Sequence, residues 1–319
     1  MGDRLGEVRG GLKASPATDS QPETIGQTRV NPPATQKRHV RFDGGRLLLA
    51  APTVLLVAAF FLAPMALIAI YSLGTTSIVT FNTHFGWTLS NYTSLRSSLY
   101  LGTIERSLFL SASATLACAV LAVPIAFFIV SQRGRTQVVL LLAVIVPFWT
   151  SFLIRIYAWT NILQNGGLLE SALRRVGLLH GSLNVLYTPT AIAIGIVYGY
   201  LPLMVLPVYV ALERLDPTVL EAAEDLGSHG WHFMWRIIVP LARPGLIAGA
   251  LLVGIPATGE FVTPQILGGG KTLMLGNVIA TQFLDIGNLS FGSALAMCLI
   301  ALVIIMLLGQ LLFRRARQT

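Results

Sequence analysis

Six long apolar stretches divide this chain and constrain its fold more than any other feature. A helix needs roughly 17 to 25 residues to cross a hydrocarbon core of about 30 Å, and each stretch is long enough. The stretches are continuously apolar, which favours helices over the alternating strands of a membrane barrel. Charged residues make up only 11% of the chain, which excludes an ordinary soluble domain. We therefore predict an all-α membrane protein with six transmembrane helices: Leu47–Tyr71, Ser107–Val130, Gln137–Ile154, Thr188–Leu212, Gly245–Val262 and Ser293–Phe313.

The distribution of basic residues predicts the orientation of these helices. With six spans, the N-terminal tail, the second and fourth connecting loops and the C-terminus share one side. That side carries 16 of the 22 Lys and Arg residues. Short loops rich in Lys and Arg lie in the cytoplasm, so both termini are expected on the cytoplasmic side of the membrane. The same topology accounts for the net charge of +8 without a nucleic-acid partner.

The first 46 residues differ from the rest of the chain in composition. Met1–Arg46 is rich in Ser, Thr, Gln, Pro and Gly, with too few apolar side chains to offset the entropy lost on ordering. We predict a disordered cytoplasmic tail over these residues and a six-span transmembrane domain over residues 47–319.

Nothing in the sequence predicts catalysis or a metal site. The five histidines are scattered over loops and the tail, and Cys118 and Cys298 lie inside apolar spans, where cysteine packs as a small hydrophobic residue. The segment Gly268–Thr272, GGGKT, lacks the first glycine of a phosphate-binding loop, because Gln265 stands in its place. We expect no catalytic residue, no metal ligand and no cofactor bound by this chain, and we do not expect an enzyme.

The loop between the fourth and fifth spans, residues 213–243, is a charged interruption between two apolar segments. Asp216 and Pro217 are typical of an N-cap and a first helical residue, and Gly227 is typical of a helix end. Between them, small apolar residues recur at helical spacing on one face and acidic residues cluster on another. An anionic inner leaflet would repel the acidic face. The loop is therefore predicted to be a cytoplasmic docking surface for a protein.

This loop resembles the EAA loop of the permease subunits of ABC importers. The matching positions are Glu221, Ala222, Ala223, Gly227, Ile237 and Pro240, while Val239 stands where the family usually has leucine. The resemblance implies that the loop holds a short coupling helix seated in an ATPase, with Gly227 permitting its turn. It also implies the partners, which are a second, similar permease chain, two cytoplasmic ATPase subunits that use the ATP, and an external substrate-binding protein. The location that it implies is a bacterial cytoplasmic (inner) membrane.

Two further stretches narrow the resemblance to one branch of that family. Pro147–Trp159 and Gly259–Gly269 are similar to the corresponding stretches of spermidine/putrescine importer permeases, and the similarity covers roughly residues 47–313. The branch also contains permeases for other solutes. The resemblance therefore implies a small cationic substrate, with an opine or an amino-acid-like compound as the alternative.

Four residues are candidates for the substrate path, namely Glu260 and the aromatic residues Trp149, Tyr157 and Trp159. A carboxylate near the outer end of the fifth span attracts a cation, and aromatic faces bind an ammonium group with about 0.5 to 2 kcal/mol each. Each of these candidates also has a purely structural interpretation. Glu260 pairs with Arg155 or caps the re-entrant turn that follows, and the aromatic residues form an interfacial belt, which is the favoured interpretation for them.

Two function classes compete with an ABC importer permease. An ion-coupled secondary transporter needs buried ionisable groups for its coupling ion, and Glu260 is the only acidic candidate within the spans. A membrane scaffold that transports nothing needs no ATPase at the loop. Uptake that collapses with an uncoupler favours the first alternative, and failure to recover an ATPase partner favours the second.

Overall fold

The structure is a computed structural model that describes residues 44–77, 82–178, 180–215, 218 and 230–315. Several predictions fall outside the described residues, namely the tail over residues 1–43, the helix start at Asp216 and Pro217, and the coupling residues Glu221, Ala222, Ala223 and Gly227. By internal contacts the chain divides into two units, Met1–Val54 and Leu55–Thr319. The described residues of the first unit, 44–54, are helical.

The described chain is helical apart from its connections and one short hairpin. The hairpin pairs β1 (Thr75–Thr76) with β2 (Thr83–His84) in antiparallel register, Thr75 opposite His84. The helices are α1 (Gly44–Ser72), α2 (Ser90–Ser94), α3 (Ser98–Val130), α4 (Arg135–Ile145), α5 (Phe152–Leu163), α6 (Leu168–Arg175), α7 (Pro189–Glu213), α8 (Gly230–Phe233), α9 (Val239–Thr258), α10 (Val262–Leu267), α11 (Leu275–Leu284) and α12 (Leu289–Arg315). A 3₁₀ turn, Val146–Trp149, follows α4, and a π turn, Met234–Ile238, joins α8 to α9.

Five helical segments in the described part of the chain are long and apolar enough to cross a membrane. They are Pro52–Ser72, Ser98–Val130, Pro189–Glu213, Met234–Thr258 and Leu289–Gln310, and one bent pair makes a sixth if it counts as a single span. The prediction of a mostly helical membrane protein is therefore confirmed. The ends differ from the predicted ones, since α3 begins at Ser98 and not at Ser107, and the segment Met234–Thr258 begins well before the predicted Gly245.

The third predicted span, Gln137–Ile154, is wrong as a single straight helix. Its helical segment ends at Trp149, the next helix starts at Phe152, and the two are bent by 93°. Pro147 lies in the 3₁₀ turn and has no N–H to continue an α-helix. The Thr150 hydroxyl donates a 2.7 Å hydrogen bond to the Pro147 carbonyl and closes the turn. A proline-containing turn thus redirects the chain where hydropathy alone indicated continuity.

The packed centre of the second unit is formed by α3, α7 and α9. Their apolar side chains share one core, which includes Cys118 from α3, Met204 and Val208 from α7 and Val253 from α9. Glycine allows the backbones to approach closely, because a Cβ atom at Gly245 would lie 2.4 Å from the Pro207 carbonyl oxygen. These three helices form the scaffold on which the polar residues described below are placed.

The fifth predicted span, Gly245–Val262, is also corrected by the structure. Helix α9 ends at Thr258, and Glu260 lies in the break before α10. The N–H groups of Gly259 and Glu260 bond to the carbonyls of Pro256 and Ala257, which tightens the helix end into a 3₁₀ geometry. Glu260 therefore lies in a helix break and not within a transmembrane helix.

Helix α11 packs directly against this break through Gly276. A Cβ atom at Gly276 would lie 2.3 Å from the Gly259 carbonyl oxygen and 2.6 Å from that of Glu260, distances at which backbone must move. We expect Gly276→Ala to lower the free energy of unfolding by about 1 to 3 kcal/mol, as overpacking of a closed site does. Thermal unfolding of the purified protein in detergent measures the effect as a lower Tm.

The matched control is Gly102→Ala in α3, where an added Cβ would meet nothing within 4 Å. This substitution is expected to leave Tm unchanged or to raise it, because alanine costs less chain entropy than glycine in an exposed helix. Equal Tm values for the two variants would contradict the close packing of α11 against the break.

Candidate functional site

Glu260 is a buried carboxylate whose two oxygens are both hydrogen-bonded. One oxygen accepts the backbone N–H groups of Val262 at 3.0 Å and Thr263 at 3.2 Å, so Glu260 caps the start of α10. The other accepts the hydroxyl of Tyr200 from α7. The side chain is only 6% exposed. The capping interpretation of Glu260 is thus observed, whereas the interpretation as a partner of Arg155 is not, because the described residues hold no such ion pair.

Glu260 and Tyr200 line a cavity of about 520 Å³. The cavity lies where the bend after α4, the middle of α7 and the break after α9 come together. Three phenylalanines, Phe148, Phe152 and Phe261, contribute to its lining, as does Arg155. A cavity with aromatic rings and one charged group of each sign is able to take a small charged solute in extended form.

Arg155, from α5, is the second charged residue of this cavity. It is 9% exposed, and its guanidinium carbon lies 5.1 Å from the ring centroid of Phe148 and 5.6 Å from that of Phe152. The buried Nε of Arg155 has no hydrogen-bond partner among the described residues. Cation–π contacts with two rings are therefore the charge-stabilising interactions that the structure gives this residue.

The predicted aromatic residues do not line the cavity. Trp149 is 78% exposed and Tyr157 is 58% exposed, while Trp159 packs edge-on against Tyr198 with ring centroids 5.4 Å apart. Their neighbours Phe148 and Phe152, which are four positions apart, lie at the cavity instead. On a continuous helix, a spacing of four positions would place the two rings on one face, and this was the signal in the sequence. The chain bends between the two residues, so the helical pattern alone did not predict that they meet at the cavity.

The described ends of the predicted coupling loop are fixed on the packed centre of the second unit. At the first end, the Tyr209 hydroxyl donates to Glu213 and accepts from the Gln137 amide at 2.9 Å, which ties the end of α7 to the start of α4. At the second end, Phe233 is buried and meets Phe127 of α3 edge-on at 5.8 Å. The loop therefore leaves and re-enters the same core.

Two predicted coupling residues, Ile237 and Pro240, lie at the second end. Ile237 is half-buried against the core of α3, α7 and α9, and it belongs to the π turn that precedes Pro240. Because Pro240 has no N–H, the carbonyl four residues before it loses its α-helical partner. The π turn lies where that partner is lost, and single π turns within helices, although rare, are frequent at functional sites.

Comparison with known proteins identifies the family. Residues 109–318 match the sequence profile of the binding-protein-dependent transport system inner membrane components. The chain belongs to this family. It is 44% identical over 230 residues to the spermidine/putrescine transport system permease protein PotB of Escherichia coli (strain K12), which covers 72% of this chain and 82% of the relative. It is 42% identical over 234 residues to PotB of Haemophilus influenzae, with 73% and 81% covered.

Solved structures agree at the level of the fold. A chain in the crystal structure of a bacterial alginate ABC transporter, in complex with alginate pentasaccharide-bound periplasmic protein, superposes with a TM-score of 0.63. The match covers 84% of this chain and 92% of that chain at 15% identity. The family match and the identity to PotB confirm the predicted resemblance to the permease subunits of ABC importers. The chain is a multi-pass inner-membrane transport component and not an enzyme.

Proposed function

We propose that this chain is one of two permease subunits of an ATP-driven importer and forms part of the path for spermidine, putrescine or a similar small cation. The observation that carries the proposal is the 44% identity to PotB over 82% of that protein. The partners are a second, similar permease chain, two cytoplasmic ATPase subunits and an external binding protein that delivers the solute. The path opens alternately to the two sides as the ATPase subunits close and reopen.

The charge of Glu260 supports a cationic cargo. Its carboxylate lines the cavity in a buried, low-dielectric position, where attraction to an ammonium group is stronger than in water. The three phenylalanine rings add faces that favour a cation over a neutral solute. Because Glu260 also caps α10, the residue that attracts the cargo is tied to the backbone that borders the cavity.

Both termini and the coupling loop are placed in the cytoplasm by this proposal. Basic residues in the tail, in the turn before α4 and after α12 support that orientation. The coupling helix that contains Glu221, Ala222, Ala223 and Gly227 would seat in an ATPase, and Ile237 and Pro240 would join it to α9. Since both loop ends rest on the core of α3, α7 and α9, a displacement of the loop would act on the helix that leads to Glu260.

A zwitterionic cargo such as an opine or an amino-acid-like compound is the second candidate. Arg155 favours it, because no described carboxylate pairs with this residue and its buried Nε lacks a partner there, so that a substrate carboxylate would supply one. Identity to PotB and the aromatic lining favour the cationic cargo. The two candidates differ in which ligand the external binding protein holds.

Titration of the cognate binding protein tests the proposed cargo. We expect spermidine or putrescine to bind with a Kd of about 1 μM or tighter, an affinity of roughly 8 kcal/mol, and opines and amino acids to bind at least 100-fold more weakly. Isothermal titration with the same panel of ligands gives the ranking. Tight binding of an opine with no binding of a polyamine would contradict the proposal and support the zwitterionic cargo.

A further inference from the structure

Arg155 has an arrangement that the proposed function does not account for. A positive charge beside a path for cations repels the cargo, and yet Arg155, a residue that is only 9% exposed, lies at the cavity wall. No carboxylate of the described chain lies within 4.0 Å of it, and its Nε is without a partner. A buried unpaired charge is costly, and a site that keeps one has a compensating contact.

The compensating contact is the pair of phenylalanine rings. Phe148 and Phe152 stand on the two sides of the bend, and the guanidinium carbon of Arg155 lies within 6 Å of both ring centroids, the range of a cation–π contact. The bend therefore creates an aromatic site for a cation, and a cation of the chain itself fills it. Glu260, which lines the same cavity, is held by Tyr200 and by the N–H groups of α10 instead.

We propose that Arg155 is a tethered substitute for the substrate's ammonium group. This inference rests on the proposed import of a cation. Between transport events the guanidinium occupies the aromatic site, and an entering amine displaces it and takes its place on the rings, with a second amine at Glu260. When the amine leaves, the guanidinium returns to the rings. The returning guanidinium prevents the amine from binding the rings again, which favours release of the cargo.

A tethered cation changes binding and transport in opposite directions, which separates it from a structural role. Removal of the competing guanidinium leaves the rings free, so the cargo binds more tightly to the permease. The same removal eliminates the group that returns and drives the amine off the rings, so release slows. A residue that merely supported the fold would weaken both binding and transport when replaced.

The test compares Arg155→Met with wild type in the complete importer. Methionine is apolar and flexible, so it packs on the rings without a charge. Equilibrium dialysis of labelled putrescine against the purified permease and ATPase complex, without the binding protein, is expected to show about tenfold tighter binding in Arg155→Met, as the loss of competition for two cation–π contacts implies. Uptake into proteoliposomes that contain the binding protein and ATP is expected to fall by a similar factor.

Two further variants make the result decisive. Arg155→Lys keeps the charge but stacks less well on rings, so its binding and uptake should lie between those of wild type and Arg155→Met, and it serves as the test if Arg155→Met does not assemble. Arg106→Met removes an exposed arginine of α3 that does not line the cavity, and binding is expected to match wild type.

Three outcomes would overturn the inference. Weaker putrescine binding together with slower uptake in Arg155→Met indicates a structural role. Unchanged putrescine binding with lost binding of a carboxylate-bearing solute indicates anion recognition. Absence of putrescine uptake by wild type overturns the proposed function and this inference with it, whereas normal wild-type uptake with either of the first two results overturns the inference alone.

Discussion

Glu221→Lys is expected to abolish solute uptake while the protein is still inserted into the membrane. The substitution reverses a charge on the acidic face of the predicted coupling helix, which is proposed to seat in the ATPase. Loss of a charge contact at a protein interface costs about 2 to 5 kcal/mol, so uptake should fall by roughly 100-fold. ATP-driven uptake and cargo-stimulated ATPase activity measure the loss, and the amount of protein in the membrane fraction measures insertion.

Gly227→Val is expected to have the same effect for a different reason. The predicted turn at Gly227 requires a backbone conformation that glycine adopts readily, usually a left-handed one, and a β-branched residue resists that conformation. Glu105→Lys is the matched control, because it reverses an exposed acidic charge on α3 and is expected to leave uptake unchanged. Normal uptake by both Glu221→Lys and Gly227→Val would remove the coupling role from this loop.

Glu260→Gln is expected to separate the two roles of Glu260. The amide oxygen of glutamine still accepts the N–H groups of Val262 and Thr263, so the cap of α10 persists and Tm changes little. The negative charge is lost, and with it the attraction for the cationic cargo. We expect uptake to fall by roughly 10- to 100-fold, the effect of about 1.4 to 2.7 kcal/mol of lost interaction. Uptake and Tm measured on the same preparation distinguish the two roles.

Two companion variants complete this test. Glu260→Ala removes both charge and cap, so uptake falls and the free energy of unfolding drops by about 0.5 to 2 kcal/mol as well. Tyr200→Phe removes one hydrogen bond to Glu260 but leaves the carboxylate, so uptake is expected to fall far less than in Glu260→Gln. If Glu260→Gln transports like wild type, Glu260 is a structural cap and does not attract the cargo.

The long helices were predictable because lipid imposes a simple physical requirement. A segment that crosses the hydrocarbon core must be apolar over its whole length, and a helix must form there because it satisfies its own backbone hydrogen bonds. A long apolar run in the sequence therefore predicts a membrane-spanning helix. The breaks after Trp149 and Thr258 were not predictable from hydropathy. Pro147 contributes to the first break because it has no backbone N–H to donate, and Glu260 contributes to the second because it caps the helix that follows. Both segments remain apolar in composition, so hydropathy does not show the breaks.

The candidate site was predictable only in part for the same reason. Glu260 was identified because an acid is conspicuous near an apolar span, and its chemistry does not depend on the details of the backbone. The aromatic residues at the cavity were missed because the 93° bend determines which side chains face inward. Phe148, Phe152 and Arg155 come together only through that bend, while Trp149 and Tyr157 are turned to the surface.

The most direct test of the central claim is uptake of labelled putrescine and spermidine into proteoliposomes. The vesicles contain this chain, its partner permease and the ATPase subunits, with the binding protein on the side opposite to ATP. We predict accumulation that requires both ATP and the binding protein and that persists in the presence of an uncoupler. Uptake that continues without ATP but collapses with the uncoupler, or no uptake of either polyamine by the complete assembly, would contradict an ATP-driven polyamine importer.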